Sequence, residues 1–184
     1  MFNETINPLN STKLFGHKNY FKRLINMYDL KKFSKISLFS GEKGVGKFTL
    51  INHFLNYIFD KNSYDLKNQT IDNKSLIYKS IVNFNFENMI LVGKDNEKIG
   101  IDTIRKLKET ISKTTISDLP RFIILDNIDQ FNINCSNALL KIIEEPSNNN
   151  YFILIDNKKK KLVDTIVSRC IKTNLYITKE ERYD

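Results

Sequence analysis

The chain has 184 residues, 41% of them apolar and 11% aromatic, with a formal charge of +8. That is enough core-forming material for one globular domain, and it excludes an intrinsically disordered chain. No apolar run approaches the roughly 20 residues that span a bilayer, so no membrane partner is expected. Met1 to Thr5 lack the basic-then-apolar build of a signal peptide, which points to the cytoplasm. Cys135 and Cys170 stand apart, with no CxxC and no His at ligand spacing. This argues against a zinc site and for two free thiols packed as small hydrophobes. The positive charge permits nucleic acid as a partner, but no basic run is interleaved with aromatics in a readable motif.

In chain order, residues 1–15 read as polar and extended, punctuated by Pro8 and Gly16. Phe21, Leu24, Ile25 and Tyr28 recur at helical spacing from Lys18 to about Tyr28, and His17 before them reads as a capping or surface residue. Ile36 to Ser40 form a buried strand. A glycine-rich turn follows, and then an amphipathic helix from about Lys47 to Phe59, carried by Leu50, Ile51, Phe54, Leu55, Ile58 and Phe59. His53 lies off that stripe and reads as exposed. Asp60 to Tyr64 and Lys67 to Lys74 look like polar loop, Leu76 to Val82 like a short helix, and Met89 to Val92 like a short strand. Gly93 to Gly100 form a charged turn. Ile101, Ile104, Leu107 and Ile111 mark a helix with Asp102 as its cap. Phe122 to Leu125 read as a strand buried on both faces and ending in Asp126. Ala138, Leu139, Ile142 and Ile143 give a helix stopped at Pro146, and Asn148 to Asn150 a turn. Tyr151 to Ile155 form another buried strand. A helical turn near Val163 to Val167 precedes a last strand, Ile171 to Tyr176. Alternating strands and helices imply an α/β fold, a parallel sheet with helices on both faces in three layers, whose strand order the periodicity does not give.

The chemistry concentrates at Gly41, Gly44, Val45, Gly46 and Lys47. A buried strand, a glycine turn, a glycine–lysine pair and a helix follow one another in the order a phosphate-binding loop requires. The helix N-terminus presents unpaired N–H groups and the positive end of a dipole, the glycines let the backbone close round an anion, and Lys47 reaches the outer phosphates. Phe48 stands where a Ser or Thr hydroxyl would hold Mg²⁺. Thr49 is one residue, about 100° of helix rotation, too late to replace it without a backbone shift. Asp126 fits the acid at the end of the second strand of a P-loop NTPase, able to hold Mg²⁺ through water, or alternatively a strand-end acid capping the next helix. Asn127 stands where an ATPase places a Glu base, and an amide cannot accept the proton. Arg169, between a helical turn and a strand, is either a surface or ion-paired arginine or one that reaches a neighbour's γ-phosphate.

Asn137 to Pro146, Phe152 to Ile155 and Thr165 to Cys170, with Ile99 to Leu107 before them, strongly resemble the bacterial clamp-loader AAA+ subunits of DNA polymerase III, from about Leu14 to Tyr176. The resemblance implies an AAA+ P-loop core over residues 1–176, with 177–184 a stub of a helical lid. It also implies nucleotide binding by Gly41, Gly44, Val45, Gly46, Lys47, Thr49 and Asp126, and ATP as the cofactor. Within the family, Phe48 and Asn127 are similar to the degraded site of the delta-prime type rather than to the hydrolysing gamma/tau motor. That likeness puts an in-trans arginine finger on Arg169 and a nucleotide-sensing strand end at Asp156 or Asn157. The implied partners are the gamma/tau motor, other polymerase III subunits, and primer–template DNA in the assembled complex. Many relatives insert a four-cysteine zinc module after the loop helix. Residues 60–100 contain no cysteine, so zinc is not carried over. The chain stops at Asp184, where a lid would begin, and so looks like a fragment. The alternatives are an ATP-hydrolysing motor, or a standalone DNA-binding domain.

Overall fold

The computed structural model describes residues 7–93, 99–112, 119–146 and 149–177. In chain order the elements are α1 (Lys18–Asp29), β1 (Ile36–Ser40), α2 (Lys47–Phe59), a 3-10 turn (Lys61–Ser63), β2 (Tyr64–Asp65), β3 (Thr70–Ile71), α3 (Leu76–Val82), β4 (Met89–Val92), α4 (Ile101–Ser112), β5 (Arg121–Leu125), a second 3-10 turn (Ile128–Gln130), α5 (Ile133–Ile143), β6 (Asn150–Asp156), α6 (Asp164–Val167) and β7 (Ile171–Asn174). They divide into two compact units. One takes residues 34–43 and 87–175, the other residues 1–33, 44–86 and 176–184.

The first unit is built on a five-stranded sheet of order β4-β5-β6-β1-β7. Every pairing in it is parallel. All five residues of β1 and of β5 are buried, as expected of parallel strands that read as continuous apolar runs. Leu38, Ile123, Leu125, Phe152 and Leu154 form one core cluster with Ile104 and Leu107 of α4 and with Cys135, Leu139, Ile142 and Ile143 of α5. Each such side chain, fully buried, stabilises the unit by roughly 2 kcal/mol. Asn132 caps α5, its Oδ1 accepting the Cys135 N–H at 2.8 Å. The helix gives way before Pro146, whose ring disfavours helix in the residue preceding it.

Asp102 does not cap α4. The helix starts one residue earlier, at Ile101, so the Asp102 carboxylate lies in the first turn and pairs with Arg105 at 3.0 Å. β7 ends at Asn174, short of Tyr176, although the Leu175 N–H still donates to the Ser40 carbonyl at 2.8 Å. Asn150 already begins β6. The expected turn residue Asn148 and most of the charged turn between Gly93 and Gly100 lie outside the described residues.

In the second unit α2 is buried on nearly all sides, polar positions included. His53 is 0% exposed, against the expectation from the apolar stripe. Its Nδ1 accepts from the Tyr64 hydroxyl at 2.8 Å and its Nε2 donates to the Ser11 carbonyl at 3.1 Å. Asn52 Nδ2 donates to the Leu9 carbonyl at 3.2 Å. The polar face of α2 is thus satisfied by chain segments far away in sequence, which a helical wheel cannot register. Phe21 and Tyr64 pack edge-on against the His53 ring, centroids 6.5 and 5.7 Å away, and Tyr57 packs on both of them at 6.2 and 5.8 Å.

Residues 12–14 are not simply extended coil, because they join the β2–β3 hairpin. Leu14 N–H donates to Gln69 at 3.0 Å and Ile71 N–H to Thr12 at 2.8 Å. The stretch after α2 is likewise more ordered than its polarity indicates. Asp60 accepts from Ser63 N–H and Asp65 from the N–H groups of Lys67 and Asn68, local bonds that build turns rather than loose loop. The short helix α3 has the expected bounds and a Ser75 cap.

Candidate functional site

The end of β1 is held firmly. Ser40 Oγ donates to Asp156 Oδ2 at 2.6 Å, and the Gly41 N–H donates to the Asp156 carbonyl at 3.2 Å. From there the chain turns through Gly44 (φ +90) and Gly46 (φ +82) into α2. Both glycines sit in the left-handed region that favours residues without a Cβ. Gly46 is the N-cap residue of α2, with no side chain over the helix end. The first-turn N–H groups of a helix have no intrahelical acceptor, so this end of α2 suits an anion. Lys47 opens the helix and is 4% exposed. Thr49 is half-buried in the first turn, and Phe48, beside it, offers only carbon. Gly44, Val45, Gly46, Lys47 and Thr49 therefore lie together in one unit, while Gly41, Asp126 and Arg169 belong to the sheet unit.

His17 is the N-cap residue of α1, as expected, but it is not at the surface: it is 1% exposed, and its side chain makes no capping bond. Its Nε2 donates to the Val45 carbonyl, and its ring edge lies 3.4 Å from where a Cβ on Gly46 would stand. Nothing in the apolar periodicity around His17 announces this contact.

Asp126 follows β5 directly. Its N–H donates to Val92 at 2.9 Å, and its Oδ1 accepts the Asn127 N–H at 2.7 Å. Asn127 takes the left-handed conformation, φ 56. Its amide is built into a lattice: Nδ2 donates to the Gly93 carbonyl at 3.3 Å, and Oδ1 accepts from Gln130 at 3.1 Å and Asn157 at 2.9 Å. Asp129, 3% exposed, accepts the N–H groups of Asn157 and Lys159, both at 3.1 Å. Asp156 accepts from Ser40 and from the Lys158 N–H at 2.8 Å. Asp126, Asn127, Asp129 and Asn157 thus form one hydrogen-bonded rim at the carboxyl ends of β5 and β6, and Asp156 ties the end of β6 to β1 through Ser40. Gly93 belongs to it and was not singled out by sequence. A Cβ there would stand 2.5 Å from the Asp126 carbonyl oxygen.

Arg169 leaves α6 with a side chain 37% exposed. It donates to Glu144 at 2.8 Å and to the Thr165 carbonyl at 2.9 Å. Burial raises the neighbouring Cys170 thiol to about 11. Sequence reasoning also missed a groove of about 300 Å³ along α4 and α5, where Arg105, Lys108 and Lys141 ring an apolar floor of Ile101, Ile104 and Ile142. Among the described residues no group of three or more His, Cys, Asp or Glu side chains is gathered to hold a metal ion, and no helix is long and apolar enough to cross a membrane.

A family model described as DNA polymerase III, delta subunit, matches residues 16–178. The DNA polymerase III subunit delta′ of Bacillus subtilis is 31% identical over 150 residues, covering 81% of this chain and 44% of the relative. Subunit tau of the same organism is 28% identical over 166 residues, covering 89% of this chain and 28% of the relative. A crystal structure of a DNA polymerase III gamma subunit-related protein from Thermotoga maritima superposes with a TM-score of 0.56 at 21% identity, covering 87% of this chain and 48% of that one. The chain therefore spans less than half the length of these relatives. The structural likeness establishes the α/β P-loop NTPase fold. With the family model running across nearly every described element, the chain belongs to the DNA polymerase III delta subunit family, and it is delta-prime-like.

Proposed function

We propose that residues 1–176 are the AAA+ core of a delta-prime-like clamp-loader subunit serving DNA replication by DNA polymerase III. Gly41, Gly44, Val45, Gly46, Lys47, Thr49 and Asp126 hold ATP without turning it over, and Arg169 acts in trans on ATP bound by a neighbouring gamma/tau motor. The observation that carries the reading is Asn127, whose amide is engaged on both ends by Gly93, Gln130 and Asn157. An amide in that lattice neither accepts a proton nor swings toward a water. The loop fits a polyphosphate: two left-handed glycines, an open helix end and a lysine at its start. ATP, when bound, supplies the anion that these groups neutralise. A Mg²⁺ ion fits poorly, since Phe48 offers no oxygen and Asp126 is the only acid of the proposed set. Arg169 suits a role toward a neighbour because its guanidinium is half-exposed and held by a carboxylate at the surface. The cations along α4 and α5 support primer–template DNA as a partner in the assembled complex.

The test is steady-state ATP hydrolysis by this chain alone and by its mixture with a gamma/tau motor. Alone, turnover is expected far below the ordinary enzyme range of about 1 s⁻¹. In the mixture Arg169→Ala is expected to slow hydrolysis at the site it serves by on the order of 10³, and an unchanged rate refutes the finger. A second reading, a hydrolysing gamma/tau-type motor, is favoured by the tau likeness over 166 residues and by the retained Asp126. Turnover near 1 s⁻¹ by the chain alone, abolished by Lys47→Ala, would establish it.

A further inference from the structure

Of the buried polar groups that the proposed chemistry does not use, His17 carries an inference furthest. Gly16 and His17 are both left-handed, φ 65 and 57, and the His17 carbonyl accepts the Phe21 N–H at 2.9 Å to start α1. The ring is thereby fixed to the first turn of that helix, edge-on to Tyr20 at 5.6 Å. From this anchor Nε2 reaches across 28 residues to the Val45 carbonyl. A carbonyl only accepts, so Nε2 carries the proton. Nδ1 is buried with no hydrogen-bond partner among the described residues, so the ring is committed to this single polar contact.

The consequence follows from the planarity of the peptide unit. No cis peptide is present among the described residues, so the Val45 carbonyl and the Gly46 N–H lie in one plane and point in opposite directions. A bond that holds the carbonyl toward α1 aims the Gly46 N–H the other way, outward at the start of α2. We infer that His17 is a positioning residue for the phosphate loop: by fixing the Val45 carbonyl it presets the Gly46 N–H as a donor to a nucleotide phosphate. Its ring also packs against Gly46 at the distance where any Cβ would begin to press on it. The loop is thus held in its binding shape before ligand arrives, and the ordering cost that a mobile glycine loop would add to binding is avoided. This rests on the nucleotide-binding reading of Gly41 to Lys47.

The experiment has two arms. In the first, ATP and ADP affinities are measured by calorimetry for the unmodified chain, His17→Leu, His17→Gln and Lys47→Ala, with urea midpoints for each. His17→Leu is expected to weaken binding about tenfold, the worth of one well-placed hydrogen bond, without unfolding the chain. His17→Gln, whose amide can still donate to a carbonyl, is expected to restore most of the affinity. Rescue by Gln is what a merely space-filling role would not produce. Equal affinity for His17→Leu and the unmodified chain overturns the inference, and so does equal loss in His17→Gln and His17→Leu. In the second arm, nitrogen-15 NMR of the ligand-free chain reads which imidazole nitrogen bears the proton. A protonated Nε2 is expected, and a bare Nε2 overturns the strut whatever the nucleotide results. If the unmodified chain binds neither nucleotide, or Lys47→Ala binds as well as it does, the loop reading fails instead. The positioning role falls with it, and the second arm alone decides whether the His17–Val45 bond exists.

Discussion

Acid should weaken the α2 unit through His53. Burial of the ring against Phe21 and Tyr64 lowers its pKa from 6.5 to about 4, the Ser11 hydrogen bond opposing this only in part. Burial also pushes the Tyr64 phenol up, so its hydroxyl stays a donor to Nδ1 throughout the acid range. Because the folded pKa lies below the unfolded one, the unfolded chain binds more protons between these values. Stability is then whole above the unfolded value and is lost as pH falls toward the folded one. Linkage gives a loss of about 2 kcal/mol by pH 5 and about 3 kcal/mol by pH 4, measured from neutrality. The assay is urea unfolding followed by circular dichroism from pH 7.5 to 4, for the unmodified chain and for His53→Gln. Other titrating groups are common to both and cancel in the difference. The unmodified chain should lose about 3 kcal/mol more than the variant across that range. Parallel curves would refute the argument, since they would mean that His53 gains its proton equally in both states.

Two further outcomes follow from the sheet unit. Gly93→Ala places a methyl 2.5 Å from the Asp126 carbonyl oxygen and 2.9 Å from Ile99, at φ +89. A loss of about 3 kcal/mol is expected in urea unfolding, from overpacking added to left-handed backbone strain, and a change under about 1 kcal/mol would show that the rim adjusts freely. Glu144→Gln removes the carboxylate beside Arg169, but both side chains are more than a third exposed. The urea midpoint should move by less than about 1 kcal/mol equivalent, and a larger loss would mark the pair as structural and Arg169 as unavailable to a partner.

The bounds of α2 were legible from Gly46, Lys47 and an unbroken apolar stripe, and β5 from four consecutive apolar residues, because local periodicity reports local burial. The glycine turn before α2 was legible too, since Gly44 and Gly46 answer a local backbone demand. The burial of His53 and of the N-cap residue His17 was not legible, for a common reason. Each sits where the pattern allows exposure, and each is buried because a group far away in sequence, Tyr64 with Ser11 or Val45, satisfies its ring. Asn127 was recognisable as a poor base, but not as the centre of a lattice with Gly93 and Asn157, which only the sheet brings alongside. Strand order was likewise beyond the sequence, because parallel strands of similar apolar composition carry no register signal.

That strand order has a consequence for how the protein is made. β1 leads into the loop, yet it pairs only with β6 and β7, and its bond from Ser40 to Asp156 spans 116 residues. During synthesis residues 36–40 leave the ribosome long before any strand that can hold them. Distant pairings of this kind form slowly and leave apolar strands exposed meanwhile. The nascent chain therefore carries an unpaired β1 until residues through Asp156 have emerged. A product arrested before β6 would possess every residue of β1 and neither of the strands it pairs with.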